Sequence, residues 1–342
     1  MMPPVSRDRT LNFSVIVPAY QAADVMPRCL NALQQQTVDR VQYEIIVVDD
    51  GSTDRTAEVA EQALRHFPAA QIIRAGHSGP ASARNRGAAA AQGDLLLFTD
   101  ADCEPVPEWI EQFAHAFADP SISGAKGTYG TYQHSFTARF VQQEYQERYD
   151  YTRRQATIDF VDTHSAAYRR TVFIENHGFD TSFPGAVVED QEFSFRLAAR
   201  GHRLIFVPGA LVYHQHNTTL LRYFRRKFNI GYWKMYVLKI HPGKAVRDSH
   251  TPQLVKVQIV LLAAALAGTP AAWLPAIGRL LPIGLWIAFG LTMLPLLIKI
   301  ARRDPPVLSV APILIFVRTL ALGLGLFCGV LRFHVLQRER VT

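Results

Sequence analysis

Three short acidic clusters are the residues of this 342-residue chain best placed to do chemistry: Asp49-Asp50, Asp100-Ala101-Asp102 and Glu189-Asp190. The first two directly follow apolar runs, YEIIVV at 43–48 and DLLLFT at 94–99. Neighbouring carboxylates repel each other and are tolerated where a cation or a donor-rich ligand lies between them. Asp100 and Asp102 stand two residues apart, a spacing that suits one hard divalent ion which also grips phosphate oxygens. Aspartates also start turns for local reasons, and for either pair alone that is the simpler reading. Two pairs, each at the end of an apolar strand, favour a site. Glu189-Asp190 opens a predicted helix at 191–200, where acidic residues would also cap a helix N-terminus. His214, in VYHQH (212–216), is a lone histidine after a strand, and taken alone such a residue is more often structural.

The elements that must position these groups follow from the apolar pattern. FSVIVP (13–18), YEIIVV (43–48), Ile72-Ile73 and DLLLFT (94–99) read as strands, and 24–36, 56–67 and 78–91 read as helices between them. Strand–helix alternation at this spacing predicts an α/β fold with a parallel sheet covered by helices. Ligands of such sheets bind beyond the carboxyl ends of the strands, where Tyr20, Asp49, Asp50, Asp100 and Asp102 all fall. Phe193, Phe195 and Leu197 would pack the 191–200 helix down and fix the acidic pair before it. Residues 140–155 (FVQQEYQERYDYTRRQ) read as a polar, aromatic helix.

Composition divides the chain. The net charge of +7 hides an acidic part, residues 1–221, with 19 Lys+Arg against 26 Asp+Glu, and a basic part, residues 222–342, with 17 against 3. Hydrophobic residues make up 49% and charged residues 19%, which excludes a disordered or coiled-coil chain. Three widely spaced cysteines form neither a disulfide scaffold nor a zinc-ligand pair. In the basic part, residues 257–274 and 280–298 carry no charge. As helices they would be about 27–29 Å long, close to a bilayer's hydrocarbon core, and they predict a transmembrane hairpin over two buried core helices. A third run, 307–331, contains Arg318 and reads as a span or as a re-entrant helix. Residues 220–244 interleave Arg and Lys with aromatic side chains, which suits a helix lying on anionic lipid headgroups; beside a membrane hairpin this outweighs nucleic-acid binding. The N-terminal residues lack the apolar core of a signal peptide, so residues up to about 220 are expected in the cytoplasm.

In sum these segments resemble the family 2 glycosyltransferases, inverting enzymes of the GT-A (Rossmann-like) fold. The resemblance is carried by SVIVPAYQA (14–22), EIIVVDDGSTDRT (44–56), GPASARNRGAAAAQGDLLLFTDADC (79–103), GFDTSFPGAVVEDQEFSFRLAARGHRLIFVP (178–208) and VYHQH (212–216), in the family's order. It implies that Pro18, Ala19 and Tyr20 line a base pocket, and that Asp49 and Asp50 bind uracil or ribose. Arg84 and Asn85 would approach the base or diphosphate, and Asp100 would lie near the ribose. Asp102 would bind Mg²⁺ or Mn²⁺, with His214 on that metal or the diphosphate. Within Glu189-Asp190 it makes Asp190 the catalytic base.

The resulting expectation is a GT-A catalytic domain at 1–218, a basic interfacial segment at 219–250 and a membrane domain at 251–342 with two to three helices (257–274, 280–298, 307–331). The expected activity is transfer of one sugar from a nucleotide sugar, UDP-linked by expectation, to a lipid or lipid-linked glycan at the cytoplasmic leaflet of the inner (plasma) membrane. The expected partners are that donor, that acceptor and membrane lipids, not nucleic acid. A processive polysaccharide synthase would carry a QxxRW sequence, which is absent here. A non-catalytic nucleotide-sugar-binding membrane protein would not need the full set of carboxylates.

Overall fold

The computed structural model describes residues 12–183, 185, 187–245, 248–249, 251–270 and 276–336. The N-terminal residues 1–11, the end of the first apolar run at 271–274 with Trp273, and the basic tail from 337 lie outside them. The chain forms two compact units, Met1–Gly130 with Gln155–Gln215, and Thr131–Arg154 with His216–Thr342. Residues 131–154, which lie inside the expected catalytic stretch, thus fold with the C-terminal helices.

The first unit is built on an eight-stranded sheet in the order β3-β2-β1-β4-β7-β6-β8-β5. β1 (Phe13–Ala19), β2 (Tyr43–Asp49), β3 (Ala70–Arg74) and β4 (Leu95–Phe98) run parallel. They alternate with α1 (Met26–Gln34), α2 (Thr56–Leu64) and α3 (Pro80–Ala90). β1 and β2 are buried along their whole length, as strands covered on both faces must be. α3 lies close against β1 at Gly87, where a Cβ would stand 2.5 Å from Ile16 Cγ2.

The remainder of the sheet departs from the parallel pattern. β5 (Cys103–Pro105), β6 (Ile122–Gly130), β7 (Ala166–Arg169) and β8 (Arg203–His214) follow. β7 is antiparallel to both β4 and β6, β8 is parallel to β6, and β5 is antiparallel to β8. β7 enters after the chain returns from the second unit, so no right-handed strand–helix–strand crossover dictates its direction. α4 (Trp109–Phe117) and the short α6 (Arg170–Glu175) complete this part with α7 (Glu189–Ala199). Phe193, Phe195 and Leu197 of α7 are fully buried. Phe193 meets Tyr168, Phe173 and Phe179 with ring centroids 5.1–5.2 Å apart, an aromatic cluster under the acidic pair.

The second unit is helical. α5 (Phe136–Thr152) is capped by Ser135 and α8 (Leu220–Ile240) by Thr219. α9 (Gln253–Gly268), α10 (Ala276–Arg303) and α11 (Ala311–Val330) follow, with a 3₁₀ turn Pro305–Ser309 between the last two. Leu280–Arg303 and Ala311–Val335 are long and apolar enough to cross a membrane, with mean hydropathies of 2.1 and 2.2; α9 is shorter. Arg318 does not face lipid. It is 3% exposed and donates from Nη1 to Glu144 Oε1 of α5 at 3.2 Å and from Nη2 to Gln258 Oε1 of α9 at 2.7 Å. Lys227 of α8 sits 2.9 Å from the other Glu144 oxygen. Burial alone would raise the Glu144 carboxyl, but the charges of Lys227 and Arg318 hold it below the usual carboxylate range.

α8 packs along α11 through small residues. A Cβ on Gly325 would lie 2.2 Å from the Phe228 carbonyl oxygen, and one on Gly329 would lie 2.5 Å from that of Tyr232. Glycines four apart on an apolar helix allow this backbone approach.

Candidate active site

The carboxyl ends of β1, β2 and β4 bring Tyr20, Asp49, Asp50 and Asp100 to one edge of the sheet, at the switch point of strand order between β1 and β4. Pro18 and Ala19 close β1 and are buried. Tyr20 is 50% exposed and stacks on His77, with ring centroids 4.3 Å apart. Asp49 Oδ1 accepts from the backbone N–H of Ser52 at 3.1 Å. Asp50 accepts from the N–H groups of Ser78 at 2.9 Å and Gly79 at 2.8 Å, and its Oδ2 lies 3.0 Å from His77 Nδ1. Asp50 therefore ties the start of α3 to the end of β2.

Arg84 and Asn85 of α3 work inside the unit. The Arg84 guanidinium is 2% exposed, donating from Nη1 to Glu189 Oε1 at 2.9 Å and from Nη2 to Asp100 Oδ1 at 2.8 Å. The sequence resemblance brings Arg84 toward base or diphosphate; here both ends of its fork are taken by carboxylates. Asn85 donates its amide to the Phe179 carbonyl at 2.7 Å and accepts the Phe179 N–H at 2.9 Å, fastening the loop ahead of the acidic pair. Arg84 is the hinge pin of the electrostatics: it binds Glu189 and favours the ionised form of Asp100 in a buried setting. Burial pushes the Asp100 carboxyl up, but Arg84 and then His164 outweigh it and hold it well below the usual range.

Glu189 is 2% exposed, and its second oxygen accepts from the Val187 N–H at 2.8 Å. Asp190, beside it at the start of α7, is half-buried and accepts from the Gln191 N–H at 2.8 Å. Removal from water, then the Glu189 and Asp162 charges, raise its carboxyl above the ordinary range despite Arg84. Asp162 is itself paired, 2.6 Å from Lys126 Nζ. Asp190 is thus a carboxyl whose surroundings favour its protonated form, beside a neighbour bound to a guanidinium, an arrangement that suits proton transfer.

Asp102 lies across from β8, with His214 Nε2 3.5 Å from its Oδ2. Burial acts against ionisation of Asp102, but the hydrogen bond and charge of His214 lower its carboxyl. A second histidine, His164, stands 3.7 Å from Asp100 Oδ2 and edge-on to His214 at 4.5 Å. Tyr129 packs beside both, 5.0 Å from His164 and 6.2 Å from His214. Sequence reasoning passed over His164, which sits in a short 3₁₀ turn (Thr163–Ser165) with no motif around it. Its sole local signal is a histidine just before the short strand β7.

Asp102, Cys103 and His214 offer donor atoms within 4.8 Å of one another. Cys103 is fully buried, and burial with the Asp102 and Asp100 charges keeps its thiol protonated. A protonated thiol is no ligand for a hard ion. The carboxylate and the imidazole remain, a donor set that fits a divalent ion shared with phosphate oxygens.

The family model for glycosyl transferase family 2 matches residues 14–176, which contain the first two acidic clusters. That match covers a little under half of the chain. Among characterised and curated relatives, glycosyltransferase AglE of Haloferax volcanii is 29% identical over 212 residues, 60% of this chain and 67% of AglE. The putative glycosyltransferase EpsH of Bacillus subtilis is 27% identical over 63% of this chain and 64% of its own. The pre-mycofactocin glycosyltransferase of Mycobacterium tuberculosis is 28% identical over 70% of this chain and 50% of its own. The matched region thus spans between half and two thirds of these relatives. Among solved structures, a mannosyltransferase of Pyrobaculum calidifontis in complex with GDP-mannose and Mn²⁺ superposes with a TM-score of 0.64 at 20% identity, covering 94% of this chain and 89% of the other. That likeness shows the fold. The α/β class that the strand pattern predicts is the one found, with β1–β4 parallel as expected and antiparallel pairings added at β5 and β7.

Proposed function

We propose that this protein is a membrane-anchored, metal-dependent inverting glycosyltransferase of family 2, moving one sugar from a nucleoside diphosphate sugar to a lipid-linked acceptor. The observation that carries the reading is the Arg84 bridge, which joins the acidic pair of α7 to Asp100 at the end of β4. Donor-side and base-side carboxylates, distant in sequence, are held in one electrostatic unit.

Asp190 takes the proton of the acceptor hydroxyl. The acceptor oxygen bonds to the anomeric carbon, the bond from that carbon to the diphosphate oxygen breaks, and the nucleoside diphosphate leaves. Glu189 binds Arg84 and sits beside Asp190, where its charge raises the carboxyl that takes the proton. Pro18, Ala19, Tyr20 and Asp49 border the base and ribose. Asp102 and His214 would hold Mg²⁺ or Mn²⁺, which supplies positive charge to the diphosphate as it departs. The lipid-linked acceptor follows from anchoring: two helices fit to cross a bilayer would hold the catalytic unit at the membrane, as a water-soluble acceptor does not require.

The test is a panel of radiolabelled UDP- and GDP-sugars incubated with membranes containing the chain, followed by lipid extraction. Label is expected in the organic phase, and EDTA should abolish the transfer until Mn²⁺ or Mg²⁺ is restored. Asp190→Asn should lower turnover about 10²–10⁴-fold while nucleotide binding survives. Undiminished transfer by that variant would remove Asp190 as the base, and label that never leaves the aqueous phase would remove the lipid acceptor.

A further inference from the structure

The helical unit contains a cavity of about 480 Å³, the size of a small-ligand site. Its charged walls are Arg139 of α5 and Asp304, and these are paired with each other: Arg139 Nε donates to Asp304 Oδ2 at 3.0 Å and Nη2 donates to Oδ1. The guanidinium fork is therefore committed to a carboxylate, and a phosphate entering here would meet Asp304 as well as Arg139. The rest of the lining is rich in neutral amides. Gln133 and Gln142 are hydrogen-bonded to His216 and hold that wall in place, while Gln143 has an amide oxygen to spare. Gln143 is 8% exposed, and its amide oxygen has no hydrogen-bond partner among the described residues. A buried carbonyl left this way is matched by a ligand hydroxyl. Tyr132, 64% exposed, adds an aromatic face to the lining. His134 is the one further titratable group there.

The cavity's place in the helical unit says what would reach it. Asp304 immediately precedes the turn Pro305–Ser309, which links α10 to α11, the two helices fit to cross a membrane. That level is where the polar part of a lipid-linked molecule leaves the bilayer. The opposite wall is continuous in chain with the catalytic strands. β6, which carries Tyr129, runs on into Thr131, and β8, which ends at His214, runs on into His216. Gln133 joins the two segments, donating to the His216 carbonyl at 3.1 Å and accepting its N–H.

We propose that this cavity is an acceptor subsite for uncharged sugar rings of a lipid-linked glycan, and not for a bare lipid phosphate. The inference rests on the glycosyltransferase reading above. Hydroxyl groups suit a wall of amides with a spare carbonyl, and a sugar's apolar face suits an exposed tyrosine. The self-neutralised Arg139–Asp304 pair disfavours an anion.

The experiment uses the purified full chain in detergent and saturation-transfer NMR. Its probes are a set of neutral di- to tetrasaccharides of gluco, manno and galacto configuration, with farnesyl phosphate as the anionic probe. At least one neutral saccharide is expected to bind. Tyr132→Ala and Gln143→Leu should each weaken that binding about tenfold, the effect of one lost contact of this kind. Binding of a nucleoside diphosphate with Mn²⁺ should stay within about twofold, which reports an intact first unit. Tyr132 is exposed, so its variant tests the site even if Gln143→Leu unfolds. No saccharide binding, saccharide binding unmoved by Tyr132→Ala, or farnesyl phosphate binding that Arg139→Gln abolishes would each overturn the proposal. Asp190→Asn should retain saccharide binding. Saccharide binding without sugar transfer in the wild-type chain would strike the proposed function alone.

Discussion

Asp190 is held in conflict with its surroundings. Burial and the neighbouring Glu189 and Asp162 raise its carboxyl, so the folded protein favours the protonated form relative to the unfolded chain. The sign of the linkage follows. Stability from this residue is present below its unfolded value, in the acid range, and is lost as pH rises through the raised folded value. Above the unfolded value the folded chain must hold this carboxyl protonated or bury its charge, and both cost stability, so Asp190→Asn should raise the melting temperature of the detergent-solubilised chain while removing activity. A lower melting temperature would mean that the carboxylate is well solvated. The same shift governs catalysis in the other direction. A base must be deprotonated, so kcat/KM should climb with pH along a limb above the ordinary carboxylate range and flatten above it. Arg84 has the complementary role. Replacing it would leave two buried carboxylates uncompensated, which makes it a positioning residue whose type the site depends on.

At the scale of elements, α5 explains how a polar, aromatic stretch becomes part of a helical bundle. Its acids at 144, 147 and 150 recur at helical spacing and meet cations of the C-terminal helices. Glu144 faces Lys227 and Arg318, Glu147 faces Lys299, and Asp150 faces Lys299 and Arg303. The exposed pairs at the end of α10 contribute little individually. Glu144 differs because both of its cations are buried with it. Glu144→Gln would leave two buried cations without their anion, a loss of about 3–5 kcal/mol for a broken buried pair. The expected outcome is a detergent-solubilised chain that melts well below the wild type or aggregates on extraction. Glu147→Gln should melt within a degree or two of the wild type, since that contact is long and partly solvated. Similar losses in both variants would show that the buried position of Glu144 carries no special weight.

At the scale of the whole molecule, the split between acidic and basic halves has a partner-by-partner meaning. Part of the acidity counted before residue 222 neutralises the basic helices after it, through α5. Another part, including Asp49, Asp50, Asp100 and Asp102, gathers at the strand ends of the sheet, and others form surface pairs such as Asp119–Arg203. Lys299 and Arg303 of α10 are paired with α5, so Arg222, Arg225 and Arg226 of α8 are the cations that would meet anionic lipid if the chain is membrane-embedded. If Leu280–Arg303 and Ala311–Val335 are embedded in a bilayer, the chain should stay with membranes through high salt and alkaline carbonate and leave only with detergent. Salt weakens surface electrostatics but not burial in hydrocarbon. Release by salt alone would reduce the attachment to a peripheral one.

The sequence by itself determined the order of the first four strands and their helices and the acidic clusters, because apolar strands ending in aspartate are local patterns. It marked 280–298 as fit for a membrane, whereas the first run, 257–274, gives the shorter helix α9 and the run at 307–331, open between span and re-entrant helix, falls in the second long apolar helix. Only the tertiary structure decided what those residues meet. Arg84 finds Glu189 across 105 positions, and Arg318 finds Glu144 across 174. Nothing near Arg318 in sequence tells whether its charge is paired, and nothing near His164 announces that it will stand beside Asp100 and His214. Residues 131–154 likewise join the helical unit through Glu144, which pairs with Lys227 and with Arg318, the latter 174 positions further along the chain. Such contacts depend on how the chain closes on itself, and spacing along the chain does not encode them.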